Sequence, residues 1–200
     1  MGFVEDEQRP RPGATVLDLG CGAGRNAVPI AALGCRVVGT DIEWPMLVAA
    51  AGRSRAQGLA SRTLWALASM DRLPVPDRSF DVIVAHGIWN LARSSAEFRR
   101  AVAEAARAGR PGAGLFVFTF SRHTLPPDVE PVGGEPFVFT QFAGEPQCFL
   151  TEAQLLSEMA AAGFERSGPL TEHNRPLPGQ LNRGGPVIFE GTFRLRPCQA

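Results

Sequence analysis

The chain has 200 residues with 20 basic and 20 acidic side chains, a formal net charge of zero and 44% hydrophobic residues. That length builds one core of ordinary size, and the absence of a basic stripe argues against nucleic acid as a partner. No apolar run approaches the ~20 residues that cross a bilayer, so no membrane partner is expected.

The four cysteines, Cys21, Cys35, Cys148 and Cys198, have neither Cys-x-x-Cys spacing nor a nearby His pair, so neither a metal site nor a disulfide framework is expected. All 20 basic residues are Arg and Ala, Gly and Pro are abundant, the imprint of GC-rich coding DNA. Residues 1–12 are polar, carry Pro10 and Pro12, and lack the charged-then-apolar order of a secretion signal. They read as an N-terminal tail, residues 13–200 read as a single domain, and a cytoplasmic location is the expectation.

Val16, Leu17 and Leu19 predict a short buried strand. Gly20, Gly22 and Gly24 let the chain turn tightly after it, and a helix follows. The dinucleotide fingerprint wants a third glycine three positions after the second, where this chain has Arg25. Asp18 closes the strand instead, and a carboxylate there suits an ammonium group better than a pyrophosphate.

This run resembles motif I of the class I S-adenosylmethionine-dependent methyltransferases, and Gly-Cys-Gly-Ala-Gly-Arg-Asn looks most like their tellurite-resistance and thiopurine methyltransferase-like branch. The resemblance implies a doubly wound, Rossmann-like α/β sheet of about seven strands, mostly parallel with an antiparallel last strand, and helices on both faces. It implies S-adenosylmethionine as cofactor, S-adenosylhomocysteine as product, and a cofactor loop of Asp18, Gly20, Cys21, Gly22, Gly24 and Arg25.

Residues 25–33 predict the helix after the loop, ended by Gly34, with Pro29 forcing a late start or a kink. Residues 36–40 are the second strand, and Asp41, about 20 positions after the glycines, sits where an acid accepts both ribose hydroxyls. An N-cap for the helix through Pro45 is the competing role of Asp41. The resemblance implies that Ile42 packs on the adenine ring.

Residues 64–68 read as a third strand. Related sequences often have an acid at the position of Ser69 to read the adenine amino group; a hydroxyl there accepts more weakly, and the Met70 backbone N–H would face a ring nitrogen. Residues 82–84 are a central strand. After it come Ala85, His86, Gly87, Ile88, Trp89 and Asn90, where the family places groups facing the methionine end of the cofactor and the methyl acceptor.

His86 and His123, one after each of the fourth and fifth strands, are the candidate bases, alongside the simpler role of bonding a backbone group. Asn90 could orient an acceptor and Trp89 could stack on it, or Trp89 could pack the adjoining helix. No Asn-Pro-Pro-Tyr-type run follows the fourth strand, which argues against exocyclic amino groups of bases as acceptors.

Ser94 and Glu97 make a capping-box pair opening a helix to about Ala108, and residues 115–120 form the fifth strand. Residues 121–150 turn to Pro, Gly and Phe, with Phe137, Phe139, Phe142 and Phe149; a substrate lid and a packing or dimer arm are the two readings. Thr151 and Gln154 open a last helix, and residues 164–171 and 187–195 form the last strands. A small-molecule methyl acceptor (a secondary metabolite, a thiol or a metalloid) and a monomer or homodimer are expected. The competing functions are a non-methylating protein binding the same cofactor or a metabolite, and a protein methyltransferase.

Overall fold

The structure is a computed structural model that describes residues 13–140, 144–175 and 185–197. Residues 1–12, Phe142 and Cys198 lie outside the described residues, and the expectations placed on them go with them.

The apolar run 16–19 forms β1 (Thr15–Leu19), and β2 (Arg36–Asp41), β3 (Thr63–Leu67) and β4 (Phe80–His86) pair parallel around it. β5 (Gly109–Phe120) adds parallel to β4; β9 (Ile188–Leu195) then runs antiparallel between β5 and β8 (Phe164–His173). The seven strands lie in the order β3-β2-β1-β4-β5-β9-β8. Strand order reverses between β1 and β4, so a crevice opens there at the carboxyl ends of the strands.

Strand alternation divides the core in two. Val16, Val37, Val82 and Val84 meet α1 (Ala27–Ala32) on one face, while α2 (Trp44–Ala56) packs on β2 and β3. Leu17, Leu19, Ile83, Leu115 and Val117 meet α3 (Ser95–Ala108) and α4 (Glu152–Ala161) on the other. α1 starts at Ala27, which leaves Pro29 in its first turn, where the missing N–H costs nothing. Gly34 follows α1 and Gly163 follows α4 in the left-handed region, at φ +93° and +90°.

A strand boundary and a helix cap are among the differences from expectation. β5 begins at Gly109 rather than 115, because Gly109 pairs with Phe80 before the register shifts between Phe80 and Val82. Ser94 Oγ accepts the Glu97 N–H at 3.1 Å, but Glu97 reaches back to the Arg93 N–H, one residue beyond the usual partner.

Residues 121–140 and 144–150 form a packed arm. β6 (Val138–Phe139) and β7 (Gln147–Cys148) pair as a small hairpin, and the Arg122 guanidinium gathers the carbonyls of Leu125, Pro126, Pro127 and Val129 while lying 5.0 Å from the centre of the Phe139 ring. Glu135 accepts the Ser95 N–H at the start of α3, and Phe137 meets Phe98 edge-on at 5.4 Å.

Candidate active site

Asp18 is only 1% exposed, and neither carboxylate oxygen has a hydrogen-bond partner. Burial pushes its carboxyl up to about 7 and the charge of Asp41 adds to it; the Ala27 backbone N–H, outside hydrogen-bonding geometry, opposes this only in part. A buried acid with no hydrogen-bond partner among the described residues suits a cationic group, because a ligand can supply the missing donor.

The glycine loop is shaped around that acid. Gly20, Gly22 and Gly24 all take positive φ, at +63°, +51° and +75°. A Cβ on Gly20 would also stand 2.5 Å from Ile88 Cδ1, so the loop after β4 leans directly on the loop after β1. A Cβ on Gly22 would meet nothing within 4 Å, which leaves its backbone open to a ligand. Cys21 lies beneath the loop; burial first, then Asp18 and Asp41, push its thiol up to about 12, so it is no nucleophile at neutral pH.

Asp41 ends β2 and closes the loop from the other side. Its Oδ2 accepts the Gly22 N–H at 2.8 Å and its Oδ1 the Glu43 N–H at 2.9 Å. The bond to Glu43 is a local turn bond two residues on rather than a helix cap, since Glu43 and not Asp41 is the N-cap of α2; the bond to Gly22 fixes the loop, and each oxygen keeps a lone pair for a hydroxyl. Ile42 beside it is 66% exposed, and Leu67, which pairs with Asp41 in register, is 56% exposed. Ser69 donates to Asp71 Oδ1 at 2.6 Å, leaving its oxygen able to accept; Met70 is nearly buried and Ala85 fully so, while Arg25 is exposed.

Past β4, His86 stacks on Phe118 with ring centroids 4.4 Å apart and planes 9° from parallel. Burial, aided by the charge of Arg25, holds its imidazole below the usual range, so it is neutral at physiological pH. His123, just past β5, places Nδ1 2.6 Å from Glu172 Oε1, and its side chain is 45% exposed.

The expectation that Trp89, Phe137 and Phe139 face an acceptor is revised. They are 0%, 1% and 3% exposed, Trp89 and Phe137 against Phe98 and Phe139 against Phe149, so protein atoms cover their rings. Asn90 is 3% exposed, with its carbonyl oxygen lacking a partner.

Sequence reasoning missed Glu172, for which alternation in β8 gives no signal. It also missed Trp65, whose indole lies across Gly39 and would clash with a Cβ there at 2.6 Å. The signal available was a glycine inside a strand, which marks close approach by a neighbour.

A family model described as a methyltransferase domain matches residues 16–112. The ubiquinone biosynthesis O-methyltransferase of Azorhizobium caulinodans is 30% identical over 180 residues, covering 84% of this chain and 69% of that protein. The chain belongs to the class I S-adenosylmethionine-dependent methyltransferases.

The ubiquinone/menaquinone biosynthesis C-methyltransferase UbiE of Paracoccus denitrificans is 37% identical over 120 residues, 58% of this chain, but the match spans only 46% of that relative's length. The fold is shared with the 1,6-didemethyltoxoflavin-N1-methyltransferase of Burkholderia thailandensis, solved with its substrate and S-adenosylhomocysteine. The TM-score is 0.72 at 20% identity, covering 98% of this chain and 77% of that one.

Proposed function

We propose that this chain transfers a methyl group from S-adenosylmethionine to a small aromatic molecule. The observation that carries the reading is the Asp18 carboxylate, buried without a partner beside an open glycine loop. The residues fit the cofactor: Asp18 for its ammonium group, the backbone of the 20–24 loop for the chain joining ammonium to sulfur, Asp41 for the ribose hydroxyls. Ile42 and Leu67 offer apolar surface to the adenine, with Ser69 and the Met70 N–H for its polar edge. When bound, the sulfonium supplies an electrophilic methyl group that a nucleophile accepts by in-line displacement.

What the protein contributes is alignment and exclusion of water. The Gly20 to Ile88 contact joins the cofactor loop to the loop after β4, so an acceptor lying over the end of β4 is held against the methyl group by the same piece of structure that holds the cofactor. The relatives named for ubiquinone and menaquinone biosynthesis support a compact aromatic acceptor. Calorimetry with S-adenosylmethionine and S-adenosylhomocysteine, followed by mass spectrometry of phenolic and quinol acceptors for a methyl gain, tests this. Binding of both nucleosides with methyl gain is the expected result, and binding without transfer to any acceptor would favour the non-methylating alternative.

A further inference from the structure

We propose that Glu172 and His123 form a base dyad in which Glu172 is the positioning residue and His123 the proton acceptor, so that the methyl acceptor is a molecule bearing a hydroxyl group. The inference rests on the methyltransferase reading above and specifies which acceptor class it serves.

β5 and β8 run in the same direction with β9 between them, so their carboxyl ends share one edge of the sheet with the end of β4. His123 follows the first and Glu172 closes the second. Glu172 is largely buried, its side chain 14% exposed, and three groups converge on it: the Ser121 hydroxyl donates to Oε1, His123 Nδ1 lies 2.6 Å from the same oxygen, and Arg175 Nη1 lies 3.2 Å from Oε2. Burial alone would raise this carboxyl. Hydrogen bonds from Ser121 and His123, with the nearby charge of Arg175, hold it below the usual range, so it is ionised.

An ionised carboxylate at hydrogen-bond distance from Nδ1 fixes the neutral imidazole in the tautomer that carries its proton there, and leaves Nε2 a bare acceptor. Among the described residues Nε2 has no hydrogen-bond partner, and the ring is exposed enough for an acceptor to reach it. The neighbouring charges do not compete for the ring: Arg122 is engaged by four carbonyls and the Phe139 ring, and Arg175 is on the far oxygen of Glu172. His86, by contrast, has its ring face against Phe118 and no carboxylate bound to it.

In the transfer step the acceptor oxygen forms its bond to the methyl carbon as the carbon–sulfur bond breaks with its electron pair kept by sulfur. The hydroxyl proton moves to His123 Nε2, Glu172 stabilises the imidazolium, and the proton then leaves to solvent. A thiolate or metalloid lone pair would need no such pair of residues.

Nitrogen-15 NMR of the full chain tests the dyad without turnover, and with three His residues in the chain the signals are separable. The expected result is the Nδ1-protonated tautomer for His123, with that tautomer preference lost in Glu172→Leu because the acceptor for the Nδ1 proton is gone. An Nε2-protonated ring in the wild type, or an unchanged tautomer in that variant, would overturn the dyad. With a phenolic acceptor, His123→Gln should lower kcat by about 100-fold or more, in the range of general-base contributions. KM and S-adenosylhomocysteine affinity should stay unchanged, and the acid limb of the pH profile should vanish. Wild-type kcat with an intact acid limb in that variant would equally sink the proposal. Failure of the wild type to bind S-adenosylhomocysteine would count instead against the cofactor reading.

Discussion

Asp18 is costly to the fold, and on the proposed reading it is the partner of the cofactor's ammonium group. Its folded-state value of about 7 lies well above the ~3.9 of an unfolded aspartate, so the native state binds the proton more tightly. The stabilisation this provides is fully present below about pH 4 and is lost as pH rises to 7, a difference on the order of 4 kcal/mol. Urea unfolding of the ligand-free protein at pH 5 and pH 8 should therefore show a decline that shrinks in Asp18→Asn. Cofactor binding should reverse the sign, because an ammonium partner favours the carboxylate: affinity should rise as pH climbs toward 7, and calorimetry in buffers of different ionisation enthalpy should detect proton release below that pH but not well above it. At pH 8 Asp18→Asn should bind S-adenosylhomocysteine roughly 10–100-fold more weakly, the loss of one charge-assisted bond. Asp41→Ala should weaken binding as well and additionally loosen the loop, since the Gly22 and Glu43 N–H groups lose their acceptor. The positions of both aspartates were legible in the sequence because a strand end and a glycine turn fix where they stand. Glu172 was not, because its partners Ser121 and His123 are 51 and 49 positions away and only the antiparallel return of β9 brings them together.

Among the elements, those with strong local chemistry matched expectation. Apolar runs gave β1, β2, β3 and β4; the Thr151 and Gln154 pair gave both halves of the cap on α4; and Gly34 and Gly163 marked helix ends. Residues 121–150 were harder to read, because four Phe in a Pro/Gly-rich stretch fit a lid or an arm equally well, and the choice depends on which faces α3 and the core leave free. Glu135 on Ser95, Phe137 on Phe98 and Arg122 among its carbonyls make the segment part of the folded body. Phe137→Ala should then cost about 3–5 kcal/mol of global stability, as for other fully buried aromatics, read as a lower urea midpoint with the unfolding slope unchanged. A ring serving only to cover an acceptor would instead leave the midpoint in place and raise KM.

For the molecule as a whole, the sheet separates two ends that should respond differently to the cofactor. The carboxyl end of β1, β2 and β4 carries Asp18, the 20–24 loop, Asp41 and Ile88, whereas a cleft lined by Asp77, Arg107, Pro111 and Leu195 opens at the opposite end. The two ends differ in chemistry: the proposed cofactor edge presents exposed apolar Ile42 and Leu67, while the other cleft carries the ion pairs of Arg107 with Glu104 and Asp77. A ligand that binds only the native state stabilises it by about 2.7 kcal/mol at a hundred times its Kd. Amides that open through global unfolding slow by that amount everywhere, but those that open locally slow only where the ligand touches them. Hydrogen exchange with saturating S-adenosylhomocysteine should accordingly protect the fast-exchanging amides of residues 20–24, 41–43 and 69–71 and leave those around Asp77 and Pro111 unchanged. Protection concentrated at the Arg107 cleft would move the ligand to the wrong end of the sheet and remove Asp18 and Asp41 from the site.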